Sequence, residues 1–262
     1  MIPPQIHIPF EKINNYLSFI NSYRLNLEIY FSSKTLDSVT ISDIQRLKAG
    51  FSHNPLITVH GPFMDLCPGA VDSKIGEVTI ERFLQTLRLA EPLEPAIVVF
   101  HSGYEKWKYS HRPDIWLEGS LVTWKKIIEK TSKMDTKIAI ENIFEDEPTN
   151  LRMLMAEMSS VTDRFGLCFD TGHFNLFSNT SLDEWLKELM PYIIEFHLHD
   201  NLKDLDSHLP ITEGTFDFDR LFSCIRDSRV NNNAVFTIET HTSEEVIRSL
   251  NHFNEYSQRF LI

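Results

Sequence analysis

The sequence predicts an α/β fold, a (β/α)8 barrel that forms a single domain over residues 1–262. Short apolar runs rich in β-branched residues recur along the chain, helical patterns lie between them, and no Gly/Ser-rich linker divides the sequence. Runs that are apolar at nearly every position are typical of strands buried on both faces of a parallel sheet. Eight strands that alternate with helices over about 250 residues are the pattern of a (β/α)8 barrel.

The predicted strands are, in order, QIHIPF, LNLEIYF, LITVH, AIVVFH, KIAIEN, GLCFD, IIEFHL and VFTIET. Helical periodicity is predicted for residues 71–91, 116–133, 181–190 and 242–256. Asp72 or Ser73 can cap the first of these helices, and Ser181 with Glu184 forms a capping-box pattern at the third. A doubly wound open sheet is the alternative, but the absence of a glycine-rich phosphate-binding turn weakens its nucleotide-binding form.

The composition limits the classes of function. No apolar run is long enough to span a membrane, and the start MIPPQIHIPFEK lacks the basic segment and apolar stretch of a signal peptide. The three cysteines form no paired motif, which favours a reducing compartment. We therefore expect a cytoplasmic protein without a membrane partner. The formal net charge of -12 argues against a surface built for nucleic acid.

Polar side chains end six of the predicted strands. They are His60, His101, Glu141 with Asn142, Asp170, His197 and Glu239. The carboxyl ends of all barrel strands meet at one face. Carboxylates crowded there would repel one another, and a divalent cation removes that cost while neutral imidazoles add ligands. A set of His, Asp and Glu without Cys suits Zn2+, Mn2+ or Fe2+.

Each of these residues also has an ordinary explanation when it is taken alone. A single His at a strand end is more often a core or surface residue than a ligand, and Asp170 alone could cap a helix. Six strand ends that carry such residues together favour a metal centre at the mouth of the barrel.

Three further residues can reach the same mouth. His173 follows Asp170 on what is predicted to be a short loop. Asp206 and His208 lie in LDSHLPITEGTFDF, predicted as a long loop after the seventh strand that could close over the site. An exposed turn is the alternative for that loop. His199 shares the face of His197 and is a candidate for contact with ligands or substrate, and His7 is expected to line the barrel.

The segments VHGPF, VVFHSG, IAIEN, CFDTGH, FHLHDN, DSHLPITEG and TIETH occur in this order across most of the chain. On these segments the chain resembles the xylose isomerase-like TIM-barrel superfamily, also called AP endonuclease family 2. That superfamily includes endonuclease IV and sugar isomerases and epimerases.

The resemblance to endonuclease IV implies nine ligands for three metal ions. His60 and His101 would hold the first ion, Glu141 would bridge the first and second, Asp170, His197 and Glu239 would complete the second, and His173, Asp206 and His208 would hold the third. The sugar epimerases of the superfamily use one ion, held by the equivalents of Glu141, Asp170, His197 and Glu239. Because all nine types are present, two or three divalent ions per chain are expected.

The chain also departs from endonuclease IV, which has Asn at the position of His199 and inserts bulky and basic loop residues into DNA. The segment HGPFMDLCPGA offers Phe63 and Met64 but no arginine. Three divalent ions would change the net charge to -12 + 6 = -6, so the chain would stay acidic. A DNA repair endonuclease is therefore the least favoured of the activities in the superfamily.

The leading hypothesis is a metal-dependent phosphodiester or phosphomonoester hydrolase that acts on a small or medium-sized substrate. Glu141 and Glu239 would be the catalytic carboxylates, and His199, Phe63 and Asn142 would contact the substrate. The segments HSGYEKW and WLEGSLVTW resemble the phosphodiesterases that remodel cobamides, although helix packing also explains their tryptophans.

The alternative is a sugar or sugar-phosphate isomerase or epimerase with one metal ion. Glu141 and Glu239 would then move a proton on and off carbon, while the other imidazoles and Asp206 would bind substrate hydroxyls. A non-catalytic metal-bound scaffold is a third hypothesis. The number of bound ions separates the first two, and the oligomeric state is left open.

Overall fold

The computed structural model describes residues 3–228 and 234–261, in which the eight predicted strands form a closed parallel barrel. The strands are β1 (Gln5–Pro9), β2 (Asn26–Tyr30), β3 (Ile57–His60), β4 (Ile97–His101), β5 (Lys137–Glu141), β6 (Phe165–Asp170), β7 (Ile193–Leu198) and β8 (Val235–Ile238). Each strand pairs in parallel with the next, and β1 also pairs with β8, which closes the ring. The predicted (β/α)8 barrel is confirmed.

Helices surround the barrel. In the described part of the chain they are α1 (Ile13–Tyr23), α2 (Ser33–Ser38), α3 (Ile41–Gly50), α4 (Ser73–Ala90), α5 (Pro113–Lys130), α6 (Thr149–Ser159), α7 (Thr171–Phe177), α8 (Leu182–Leu189), α9 (Phe218–Ser228) and α10 (Ser243–Phe260). The four predicted helices correspond to α4, α5, α8 and α10. Asp72 caps α4, and the capping box of Ser181 and Glu184 begins α8, as predicted. Within the described residues, no helix has the length and apolar character needed to cross a membrane.

The larger apolar core lies between the barrel and the helices. It includes Trp116 and Trp124 of α5, both fully buried, and Trp124 stacks on Phe83 of α4 with ring centroids 5.3 Å apart. Helix packing therefore explains these two tryptophans. Trp107 lies on the surface with 70% of its area exposed.

A second, smaller core lies inside the barrel and shows which strand positions point inward. It consists of Ile97, Val99, Ala139, Cys168 and Val235, which come from β4, β5, β6 and β8. Side chains alternate between the two faces of a strand. Counting two residues at a time from this core toward the carboxyl ends therefore reaches His101, Glu141, Asp170 and Glu239. The strand period alone turns these side chains toward the mouth.

The other side of the barrel interior is polar. Its members are Gln5, Glu28, Thr58, Glu195 and Thr237, all fully buried. Gln5 donates from Nε2 to Glu195 Oε1 and to Thr237 Oγ1, each at 2.8 Å. Burial, with the nearby charge of Glu28, raises the pKa of Glu195 to about 8. Two residues further along the same strands, and so on the same inward face, the chain places His7, His60 and His197 at the mouth.

Candidate metal centre and active site

The mouth of the barrel brings together all nine side chains of the predicted ligand set. His60, His101, Glu141 and Asp170 are the last residues of β3, β4, β5 and β6, His197 is the penultimate residue of β7, and Glu239 directly follows β8. His173, Asp206 and His208 reach the mouth from α7 and from the segment that follows β7. The expected convergence of strand ends is therefore a feature of the structure.

Glu141 occupies the centre of this cluster and is almost fully buried. Its Oε2 lies 2.9 Å from Nε2 of His60, 3.5 Å from Nε2 of His101 and 3.6 Å from Nδ1 of His197. Its Oε1 lies 3.0 Å from Nδ1 of His173. Burial acts to raise the pKa of Glu141, but the charges of His101 and His197 hold it well below its usual range. One carboxylate thus contacts imidazoles from four different elements.

The surroundings of His197 fit a bound cation. Nδ1 of this buried ring lies 3.0 Å from Oε1 of Glu239, 3.6 Å from Oε2 of Glu141 and 3.7 Å from Oδ2 of Asp170, yet it has no hydrogen-bond partner of suitable geometry. Ligands that each lie about 2.1 Å from one ion are about 3.0 to 3.4 Å from each other. The distance to Glu239 is that of two ligands of a shared ion, the distances to Glu141 and Asp170 are slightly longer, and the chemistry of the donors suits a borderline divalent metal.

A further group of candidate metal-binding atoms surrounds Asp206. Its Oδ2 lies 3.2 Å from Nε2 of His208 and 3.3 Å from Nε2 of His173, and its Oδ1 lies 3.8 Å from Nδ1 of His199. The rings of His199 and His208 stack with centroids 4.0 Å apart. Asp206 and His208, two residues apart, therefore face the same space, as predicted.

The segment that carries Asp206 and His208 is the predicted long loop between β7 and α9. A short antiparallel bridge joins Asp200 to Leu209 and draws the loop back over the mouth. The carboxylate of Asp200, which is fully buried, accepts backbone N–H groups from Gly214 at 2.9 Å and Phe216 at 3.0 Å. These bonds satisfy loop groups that would otherwise be buried without partners, so the loop has a defined position over the site.

His173 lies in the first turn of α7 and not on a loop, which corrects the expectation from the sequence. The reason is that the side chain of Asp170 begins a helix at once where β6 ends. The segment, TGHFNLF, is too short to show helical periodicity.

The three residues expected to contact the substrate have different surroundings. Phe63 lines the mouth and stacks on His101 with ring centroids 4.2 Å apart. His199 is fully buried, and its Nε2 lies 3.0 Å from both oxygens of Asp170. The side chain of Asn142 is also buried, and it exchanges two hydrogen bonds with the backbone of Asp170 at 2.9 and 3.1 Å. Asn142 therefore supports Asp170 from behind.

The imidazoles of the mouth are held in different electrostatic surroundings. Burial lowers the pKa of His101 to about 3, against the attraction of Glu141. Burial acts in the same direction on His173 and His197, but the charge of Asp170 raises the pKa of His173 well above its usual range, and Cys168 with the carboxylate of Glu28 does the same for His197. Metal ligands must bind through unprotonated nitrogen, so a cation in this mouth would displace protons.

Two residues that the sequence analysis did not place in the site contact it directly. Glu28, fully buried in the middle of β2, has its Oε2 3.2 Å from Nε2 of His197. Nδ1 of His7, which was expected only to line the barrel, lies 2.9 Å from Glu28 and 3.2 Å from Glu239. The only sign of this role in the sequence is that Glu28 is a charged residue within the otherwise apolar run LNLEIYF.

The cavity at the mouth has a volume of about 850 Å³. Its lining includes the apolar and aromatic side chains of Tyr30, Phe63, Met64, Leu66, Tyr104, Ile143, Phe144 and Phe177. Among the described residues that line it, Lys108 is the only lysine or arginine. A cavity of similar volume lies near the start of β7, between α8 and α9, away from the ligand cluster.

Comparisons with known proteins agree with this architecture. The uncharacterized protein MJ1311 of Methanocaldococcus jannaschii is 28% identical over 207 residues, which cover 76% of this chain and 69% of that protein. A D-tagatose 3-epimerase-like protein superposes with a TM-score of 0.79 at 23% identity, covering 98% of each chain.

Endonuclease IV from Thermus thermophilus superposes with a TM-score of 0.68 at 17% identity, covering 98% of this chain and 99% of the other. These two structures, both named for an enzyme activity, show that the fold is shared. The profile of the xylose isomerase-like TIM barrel family matches residues 27–256. The chain belongs to the xylose isomerase-like TIM barrel family.

Proposed function

We propose that the chain is a metal-dependent phosphoester hydrolase that uses two or three divalent ions at the mouth of the barrel. The observation that supports this most is the presence of several overlapping groups of ligand atoms. Three of these groups are His60, Glu141 and His197; Asp170, His173 and His199; and His199, Asp206 and His208. A single ion would occupy one such group and leave the others, whose carboxylates include the buried Asp170 and the exposed Asp206, without a metal partner.

The chain's own residues would divide the work. Divalent ions supply Lewis-acid stabilisation of phosphoryl oxygens and an activated water. Glu141 would bridge two groups of metal ligands, because its Oε2 contacts His60 and His101 and its Oε1 contacts His173. Glu239, whose oxygens lie 3.0 Å from His197 and 3.5 Å from His208, would orient the attacking water.

The surroundings of the mouth favour a small or medium-sized substrate over nucleic acid. Its largely apolar wall and its single lysine, Lys108, give little positive charge to hold a phosphate backbone. Endonucleases cleave phosphodiester bonds, and the likeness in fold to endonuclease IV supports the proposal of such chemistry on this scaffold. The cobamide-remodelling branch is a narrower form of this proposal.

Elemental analysis of the purified protein, combined with assays on model phosphodiesters, tests the proposal. We expect two or three ions per chain and metal-dependent hydrolysis. Asp206→Ala and His208→Ala should each remove one ion, whereas the control Asp72→Ala, at the N-cap of α4, should remove none. A single ion that both site variants leave in place would contradict the proposal.

A sugar or sugar-phosphate epimerase is the second candidate, and one feature of the site favours it. Oxygens of Glu141 and Glu239 lie 3.6 and 3.0 Å from the same nitrogen, Nδ1 of His197, so the two carboxylates converge on a small volume. Such a pair suits proton transfer to and from carbon. One ion per chain, with deuterium uptake at carbon by a sugar in D2O, would select this candidate. Inactivity with both substrate classes in the loaded protein would favour a non-catalytic scaffold.

A further inference from the structure

Glu28 lies inside the barrel just below the mouth, and its two oxygens contact two imidazoles. Oε2 lies 3.2 Å from Nε2 of His197, and Oε1 lies 2.9 Å from Nδ1 of His7. The side chain has no exposed area. A buried carboxylate is unfavourable unless it is paired and hydrogen-bonded. These two contacts therefore account for a charged residue in the middle of the apolar strand β2.

Three imidazoles of the ligand set use one nitrogen for a hydrogen bond that leaves the other nitrogen facing the mouth. His60 and His173 each donate from Nδ1 to a backbone carbonyl, that of Gly61 at 2.8 Å and that of Asn142 at 3.1 Å. Their Nε2 atoms then face Glu141 and Asp206, respectively, and Nδ1 of His173 also lies 3.0 Å from Oε1 of Glu141. His197 has the opposite arrangement, because its Nε2 faces Glu28 and its Nδ1 faces the mouth.

We propose that Glu28 is a positioning residue for metal binding, which accepts a hydrogen bond from Nε2–H of His197 and so directs Nδ1 of that ring toward Glu239, Glu141 and Asp170. The hydrogen bond made by one ring nitrogen decides which nitrogen is left to bind a metal. Without an acceptor at Glu28, the ring can rotate or take the other tautomer. The inference rests on the metal-binding part of the proposed function.

The same carboxylate also holds a second ring. Nδ1 of His7 contacts both carboxylates, at 2.9 Å from Oε1 of Glu28 and 3.2 Å from Oε1 of Glu239. Oε1 of Glu239 therefore contacts both rings, at 3.2 Å from Nδ1 of His7 and 3.0 Å from Nδ1 of His197. Glu28 therefore positions the imidazole of His197 in β7 and also that of His7 in β1, which contacts Glu239.

Zinc affinity, measured by competition with a chromophoric chelator, tests the proposal with Zn2+ alone as the probe. Glu28→Met removes the acceptor and keeps the length of the side chain, and it should weaken zinc binding about 10- to 100-fold, the usual effect of losing such a partner. Glu28→Gln keeps an oxygen acceptor and should restore most of the affinity. The number of ions bound at saturation should not change in either variant.

Glu195→Gln is the matched control. It removes another buried carboxylate of the barrel interior, whose nearest oxygen lies 4.0 Å from Nε2 of His197 and which is bonded to Gln5 and Thr237 instead. Zinc affinity should stay close to that of the wild type. If the Met variant does not fold, Glu28→Asp, which draws the carboxylate back by one methylene, should still weaken zinc binding measurably.

Proton–nitrogen spectra of histidine-labelled, zinc-loaded protein give a second readout. A slowly exchanging Nε2–H signal from His197 is expected in the wild type and in Glu28→Gln, and its loss is expected in Glu28→Met. Wild-type affinity in the Met or Asp variant would overturn the inference. The loss of one ion at saturation in the Gln variant would make Glu28 a ligand and would also overturn it. A wild-type protein that binds no zinc or other divalent ion would instead contradict the proposed function.

Discussion

Oδ1 of Asp170 accepts a hydrogen bond from the backbone N–H of His173 at 2.7 Å. This bond begins α7 at the residue where β6 ends, and it places the imidazole of His173 beside Glu141 and Asp206. Asp170 is therefore the N-cap of a helix and also lies in the cluster of side chains proposed to bind metal. The two explanations of this residue, which compete when the sequence is read alone, are compatible in the structure.

The double role of Asp170 predicts that two substitutions will separate stability from metal binding. Asn is as good an N-cap as Asp, whereas Ala provides none. The free energy of unfolding of Asp170→Ala should therefore be about 0.5–2 kcal/mol lower than that of Asp170→Asn. Both variants should bind Zn2+ more weakly than the wild type, because both lack the carboxylate. Denaturant unfolding of the metal-free proteins and zinc titration check the two parts, and equal stabilities would exclude the capping role.

The close approach of Gly172 to His199 predicts that a substitution at Gly172 will weaken metal binding without removing a metal-binding side chain. A Cβ at this position would overlap the buried ring of His199, which contacts both oxygens of Asp170. Gly172→Ala should therefore displace His199 and weaken zinc binding about 10- to 100-fold.

Gly76→Ala is the control for Gly172→Ala, because the nearest atom to its added Cβ is 3.9 Å away. Gly76 lies within α4, so this change should leave zinc affinity unchanged and stabilise the fold by about 0.5–1 kcal/mol. Calorimetry of both variants tests the pair. Wild-type zinc affinity in Gly172→Ala would show that His199 can move without consequence.

The stacking of Phe63 on His101 predicts an effect on substrate binding. The rings are nearly parallel, at 14°, and Phe63 forms part of the apolar wall of the mouth. Phe63→Ala should raise KM about 2- to 10-fold, the value of one aromatic contact, with no change in the number of bound ions. Phe63→Tyr should keep KM near that of the wild type. A lower ion content with an unchanged KM would show that the ring supports His101 and not the substrate.

Glu145 predicts a pH-dependent term in the stability of the fold. The residue is almost fully buried, with Ser102 and the backbone N–H of Ile143 donating hydrogen bonds to it. Burial, against these bonds, raises the pKa of Glu145 to about 7 from its ordinary value of 4.5. The folded state therefore favours the protonated acid, whose contribution is complete below pH 4.5 and is lost as the pH rises to about 7.

Glu145→Gln should remove this term, because the neutral amide can accept from Ile143 and donate to Ser102. Relative to the wild type, the variant should gain stability between pH 4.5 and pH 7, by about 3 kcal/mol at most, with no further change above pH 7. Denaturant unfolding at a series of pH values measures the difference between the two proteins, in which the titration of other groups cancels. A difference that does not vary with pH would place the pKa of Glu145 near its ordinary value.

The sequence determined the barrel and most of the candidate site, because both depend on local patterns. Apolar runs marked the strands, and the strand period of two turned His101, Glu141 and Asp170 to the same side as the inner core. The carboxyl ends of parallel strands necessarily meet, so residue types at strand ends were enough to predict the cluster.

Only the tertiary structure decided which atoms face one another. Glu28 and His197 are 169 residues apart, and no local pattern pairs a carboxylate in β2 with an imidazole in β7. The same holds for Asn142, whose side chain makes two hydrogen bonds with the backbone of Asp170 on the neighbouring strand. Closure of the barrel sets these distances, and the hydrogen-bonding needs of buried groups then choose their partners, which is information that a linear sequence does not display.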